Sequence, residues 1–202
     1  MRIKSKKPEI RFLHDMKKVI YDQKWLKRAA NFEVYYMHRG IKKKGNLRYD
    51  ITVIPAQMLG QEFTKTKGHI HSQNFQELYK VLKGKAIFLL QKAENKKVED
   101  VLALKAKTGD VVIVPPYYGH ITINPSKNTL SVANWVSKKC KNIYTAVQKN
   151  RGFCYLYTKK GWVKNKNYKI IPKLRFEKPL KKMPKSLEFL ESKKKKKSLR
   201  QT

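Results

Sequence analysis

Between Thr66 and Tyr79 the chain reads Thr-Lys-Gly-His-Ile-His-Ser-Gln-Asn-Phe-Gln-Glu-Leu-Tyr, which packs His69, His71 and Glu77 into nine residues. In a strand, residues i and i+2 share a face, so the His-x-His pair aims two imidazoles at one point. A short turn and a returning strand bring Glu77 back towards that point. Two neutral imidazoles and a carboxylate, held together with open positions, suit a divalent transition metal. A fourth ligand is expected from the three other histidines, His14, His38 and His120.

His120 is the best placed of the three. The run Gly109-Asp-Val-Val-Ile-Val-Pro-Pro-Tyr-Tyr-Gly-His120 reads as a glycine turn, a buried strand and a Pro/Tyr/Gly corner ending in the histidine. Ile121-Thr-Ile-Asn124 then alternates in the strand manner. The two segments look like hairpin units of one small barrel, each delivering ligands to a shared interior. His14 lies beside a helical apolar stripe and reads as a surface or packing residue. His38, at the end of an aromatic strand, reads as structural.

The elements that must position these groups are short strands. Leu13, Met16, Val19 and Ile20 have helical spacing, so residues 10–30 are expected to be largely helical, with a second short piece from Gln23 to Arg28. Phe32–Gly40 and Arg48–Pro55 read as strands, with the lysine-rich Ile41–Leu47 as a solvated hairpin loop. Further strands are expected at 77–82, 86–91, 98–104, 111–114 and 129–136, separated by turn residues. Tyr144–Val147, Phe153–Tyr157 and Trp162-Val163 are expected as edge strands. The pattern predicts a mainly β fold, an antiparallel sandwich or barrel. The expected organisation is an N-terminal segment 1–30 packed on a barrel domain 31–172, then a basic tail 173–202, partly disordered.

Composition sets the remaining bounds. The chain has 202 residues, 41% hydrophobic and 11% aromatic, enough for one domain with a real core. No apolar run approaches the roughly 18 residues that span a bilayer, and the N-terminus lacks the apolar core of a signal peptide. A cytoplasmic location is expected. Cys140 and Cys154 are too few for a disulfide framework and read as reduced, buried fillers. The formal charge is +34, from 48 basic and 14 acidic residues. Residues 173–202, including the lysine block Lys193–Lys197, carry a net +9 of it. Most of the excess is lysine, which fits a general lysine-rich bias first and nonspecific polyanion binding second. No zinc-finger, homeodomain or RNA-recognition signature accompanies it.

Gly68-His-x-His with Glu77 and Gly84, then Gly109, Pro115, His120 and Asn124, resemble the paired motifs of cupins. Three blocks narrow the resemblance: Leu47-Arg-Tyr-Asp-Ile-Thr-Val-Ile-Pro55, Thr66-Lys-Gly-His69, and Pro115-Pro-Tyr-Tyr-Gly-His120 with Thr122-Ile-Asn124. They are similar to the cupin-type glucose-6-phosphate isomerases, over roughly residues 10–157. The resemblance implies a cupin-like double-stranded antiparallel β-barrel (jelly roll) that converts glucose 6-phosphate and fructose 6-phosphate into one another. It implies that His69, His71, Glu77 and His120 bind one divalent metal per subunit, iron(II) foremost, with manganese, nickel or zinc able to replace it. It also implies that Thr52, Thr66 and Gly68 bind the sugar phosphate, that Tyr79 lines the pocket, and that the chain forms a homodimer.

One departure stands out. The family usually places a tyrosine and a histidine downstream of the second motif, and counting from His120 without gaps puts those positions at Val136 and Asn142. Tyr144 is nearby, and a shifted register would bring in Trp135. Tyr117 and Tyr118 are read either as pocket walls or as barrel packing. For the chemistry, Glu77 is the candidate base of an enediolate route, while a hydride shift would need no base. Two other readings compete: an isomerase or epimerase of another sugar phosphate, and a non-enzymatic polyanion-binding cupin module.

Overall fold

The computed structural model of the chain describes residues 7–191. Strand β1 (Glu9–Phe12) leads into a one-turn helix α1 (Leu13–Met16), a 3-10 turn over Lys17–Val19 and a second one-turn helix α2 (Gln23–Leu26). The helical expectation for residues 10–30 thus fails at its start, where Ile10, Arg11 and Phe12 pair with β2 (Glu33–Lys44). The apolar stripe itself behaves as read: Leu13, Met16, Val19 and Ile20 are all buried. Helices this short do not persist alone in water, so packing of that stripe fixes them.

The chain continues through β3 (Leu47–Ile54), β4 (Met58–Leu59), β5 (Glu62–Phe63), β6 (Ile70–His71) and β7 (Glu77–Lys83). Next come β8 (Lys85–Glu94), β9 (Lys97–Lys107), β10 (Val111–Val114), β11 (Gly119–Ile123) and β12 (Leu130–Ser137). It closes with β13 (Asn142–Ile143), α3 (Thr145–Lys149), β14 (Tyr155–Thr158), β15 (Gly161–Lys164) and β16 (Arg175–Glu177). The principal sheets run β1-β2-β3-β12-β7-β10 and β11-β8-β9-β16, with smaller sheets β13-β6 and β15-β14-β5-β4. The fold is mainly β, antiparallel and cupin-like. Phe88, Leu89, Leu90, Val101, Val112, Val132 and Ile121 belong to its main core cluster.

Three local expectations are corrected. Ile41–Lys44 is strand rather than loop, because Lys42, Lys43 and Lys44 pair with Tyr49, Arg48 and Leu47, leaving Gly45-Asn46 as the turn. Tyr144–Val147 is not a strand: α3 begins at Thr145, and Val147 alone of that run is buried. Beyond Pro172 the chain keeps its organisation as far as Glu191. β16 pairs in parallel with β9, Leu180 exchanges two backbone hydrogen bonds of 2.9 Å with Val111, and Leu190 is buried against Leu47, Leu78 and Val111. This strap covers apolar side chains that the barrel would otherwise expose. The lysine block Lys193–Lys197 lies outside the described residues.

Candidate active site

Backbone approach places the first pair of histidines. His69 and His120 sit opposite each other, joined by His120 N–H to His69 O at 3.0 Å and His69 N–H to His120 O at 3.3 Å. Gly68 permits this: it has φ +77°, and a Cβ there would stand 2.3 Å from Ile121 Cγ2 and 2.5 Å from Phe153 Cε2. His71 is on β6, where its Nδ1 lies 3.0 Å from the Phe75 carbonyl, leaving Nε2 to face the interior. Glu77 opens β7 and is buried.

The four groups converge on one carboxylate oxygen. Glu77 Oε2 lies 3.1 Å from His71 Nε2, 3.0 Å from His120 Nε2 and 4.0 Å from His69 Nε2. One ligand atom from each residue falls within 4.8 Å of all the others. A first-row divalent ion binds imidazole nitrogen and carboxylate oxygen at about 2.1 Å, so its adjacent ligands stand about 3 Å apart and opposed ones about 4.2 Å. The donor set and its separations therefore fit a single such ion after a small contraction. The Phe75 carbonyl supplies the outer hydrogen bond that fixes a ligating histidine's tautomer.

Protonation follows from burial and from Glu77. Burial pushes His69 well below the usual histidine range, and the neighbouring His120 adds to it. Burial likewise lowers His120, against the pull of Glu77. For His71 burial also opposes the charged form, but the neighbouring Cys140 and the hydrogen bond with Glu77 prevail and raise it to about 10. Glu77 itself is held well below the carboxylate range: burial would raise it, and bonds from His120 and His71 overcome that. Burial thus favours, in two of the three imidazoles, the neutral form that metal ligation needs.

Two residues absent from the sequence reading complete the centre. Asn134 Nδ2 donates to Glu77 Oε1 at 2.6 Å, and Tyr35 joins the wall. The four donors open onto a cavity of about 560 Å³, counted out to solvent, which Thr52, Thr66, Gly68 and Tyr79 also line. Tyr79 is buried, and its hydroxyl lies 3.0 Å from His120 Nε2. Met37, Arg39, Arg48 and Asp50 line it as well, as do Asn142 and Tyr144. The signal for these was strand alternation, since Tyr35, Met37 and Arg39 are i, i+2, i+4 on β2, and Arg48, Asp50 and Thr52 are so on β3.

Other residues singled out earlier fall elsewhere. His14 is exposed, and His38 is in the body of β2. Tyr117 is largely exposed, while Tyr118 donates to Asp100 at 2.7 Å. Of the family's two downstream positions, Val136 pairs with Glu77 in the ladder without lining the cavity, whereas Asn142 lines it. Tyr144 lies with its ring 5.9 Å from His69, and Trp135 packs instead against Tyr49.

An antiparallel β-barrel whose interior gathers three histidines and a glutamate defines a cupin with a candidate metal centre. The family described as Glucose-6-phosphate isomerase (GPI) matches residues 10–173, and the chain belongs to that family. It is 36% identical over 129 residues to the glucose-6-phosphate isomerase of Thermococcus litoralis, covering 60% of this chain and 65% of the relative. To the glucose-6-phosphate isomerase of Thermococcus onnurineus it is 29% identical over 165 residues, covering 79% and 84%. The chain thus spans about 65% of the first of these relatives. Among solved structures it is similar to an oxalate oxidase, with TM-score 0.45, 12% identity and 56% of each chain covered.

Proposed function

We propose that the protein is a metal-dependent glucose-6-phosphate isomerase that interconverts glucose 6-phosphate and fructose 6-phosphate. The observation that carries this reading is a single cavity, in a chain of the GPI family, shared by the four donors and by Thr52, Thr66, Gly68 and Tyr79. His69, His71, Glu77 and His120 hold one divalent ion, iron(II) foremost, with manganese, nickel or zinc as substitutes. When bound, such an ion would supply Lewis acidity to the reacting carbonyl.

The side chains then divide the work. Thr52 and Thr66 offer hydroxyls and Gly68 a backbone N–H to the sugar phosphate, which needs donors more than it needs a glycine-rich loop. Glu77, ligand and base at once or alternately, takes the proton from C2 as the C1 carbonyl becomes the enediolate. It returns that proton to C1 as the carbonyl forms at C2, while the O2 hydroxyl proton passes to O1. Asn134 steadies the carboxylate, and Tyr79 closes the wall beside His120. A hydride shift would leave Glu77 as ligand alone. Deuterium at substrate C2 separates the two, since loss to solvent supports the base and complete retention in product rules against it.

The assembly proposed is a homodimer formed through an edge strand, of which β1 is one. Among the described residues no helix is long and apolar enough to cross a membrane, and the reading places the protein in the cytoplasm. A panel of sugar phosphates offered to the purified protein tests the substrate. Fructose 6-phosphate should turn over fastest, and a preference for a different hexose or pentose phosphate would reassign the enzyme within its fold.

A further inference from the structure

At one end of the candidate cavity lies a pair of arginines that the isomerase chemistry does not use. Arg39 and Arg48 both line it, and the buried carboxylate of Asp50 fixes both. Asp50 Oδ2 lies 2.9 Å from Arg48 Nε and 3.6 Å from an Arg39 terminal nitrogen, while Oδ1 accepts from Gly40 N–H at 2.8 Å. The β2–β3 register shifts between His38 and Lys42, a bulge that wraps Arg39 and Gly40 around Asp50. Asp50 takes only Nε of Arg48. Among the described residues no hydrogen bond or ion pair engages the two terminal nitrogens of Arg48, the fork that binds phosphate and carboxylate bidentately. Both arginine side chains keep over a quarter of their surface in solvent, 29% and 27%, so an anion docking there would keep part of its hydration.

Register locates this end relative to the metal donors. Val136 pairs with Arg48 on one side and with Glu77 on the other, so Arg48 and Glu77 are two strands apart, about 10 Å. Arg39 shares the Asp50 carboxylate with Arg48 and lines the same cavity. Thr52 is four residues along β3 from Arg48, about 13 Å, at the other end of the lining. The Thr52 hydroxyl and the arginine fork are therefore separated along β3, with Glu77 level with the fork and two strands to its side.

We propose that the Arg39–Arg48 pair is a second anion site, and that the cavity binds sugars phosphorylated at both ends, such as a ketose 1,6-bisphosphate. The inference rests on the isomerase reading for the first phosphate. It makes such a bisphosphate a competitor whose C1 phosphate lies on the arginines, with the sugar running along the cavity that the metal donors also line. Glu9, which is exposed and bonds Arg39 Nε at 3.0 Å, is the group that this phosphate displaces.

Calorimetric titration of the metal-loaded full chain with fructose 1,6-bisphosphate and with fructose 6-phosphate tests this. The expected result is that both bind, and that Arg48→Gln weakens the bisphosphate about ten- to hundredfold more than the monophosphate. Glu9→Gln, away from the folded core, is expected to tighten the bisphosphate selectively and serves as the control if the arginine variant does not fold. Binding of the monophosphate alone, or equal losses for both ligands in Arg48→Gln with no gain in Glu9→Gln, would overturn the second site. Binding of the bisphosphate alone would uphold it and overturn the isomerase reading, and binding of neither would overturn both.

Discussion

Asn134 determines how Glu77 can meet a cation. With Oε1 taken by the Asn134 amide, only Oε2 faces the three imidazoles, which favours a single carboxylate oxygen as ligand. Removing such an outer partner typically costs 10–100-fold in metal affinity. Asn134→Ala is therefore expected to weaken metal binding by about that factor in a chelator competition, and an unchanged affinity would show that the bond is incidental. Gly68 makes a steric prediction. Gly68→Ala places a methyl group into Ile121 and Phe153 at a backbone angle that L-residues rarely adopt, and should lower stability by about 1–3 kcal/mol in urea unfolding. The metal-ligand candidates were legible because His-x-His spacing aims both rings the same way, whatever the turn that follows. Asn134 was not, because a lone polar residue between Ala133 and Trp135 looks outward-facing. The strand in fact turns Trp135 away from the cavity and Asn134 in.

At the scale of elements, period-2 alternation and glycine turns made β3, β7, β8, β9, β10, β11 and β12 readable to within a few residues. Tertiary contacts overrode local preference elsewhere. The Ile41–Lys44 run is polar yet remains paired, since a strand edge needs backbone partners rather than apolar side chains. The strap after Pro172 looked unstructured because its charges dominate its composition, while its holdfasts are single residues. Leu190→Ala should cost about 2–5 kcal/mol if the strap stays docked, and less if it peels away; urea unfolding measures it. The strap also makes two ion pairs to the barrel, Arg175 with Asp100 and Lys181 with Asp110. The Arg175 hydrogen bond holds Asp100 below its usual value; for Asp110, burial acts upward and the Lys181 bond outweighs it. Carboxyls depressed in the folded state contribute stability above their unfolded values, about pH 4, and lose it as pH falls through the folded ones. NMR signals of residues 175–181 should therefore shift towards random coil below about pH 4, ahead of the barrel. The effect is small because Arg175 is half exposed.

Across the whole molecule, the +34 charge and the candidate cavity are separate properties. A diffuse positive surface attracts polyanions with a strength that collapses as salt rises, since the Debye length is about 10 Å at 0.1 M. Retention on a heparin column should fall steeply with salt and be indifferent to His120→Ala. Retention that tracked the histidine would tie polyanion binding to the cavity and weaken the enzymatic account. Activity, by contrast, should track the four donors. The most direct measurement uses metal-stripped protein in a coupled assay, with fructose 6-phosphate supplied, glucose 6-phosphate detected, and iron(II), manganese or zinc added back. The account predicts that activity returns with metal and is absent in His71→Ala and Glu77→Gln. Full turnover without metal, or metal-dependent turnover that survives both substitutions, would contradict it.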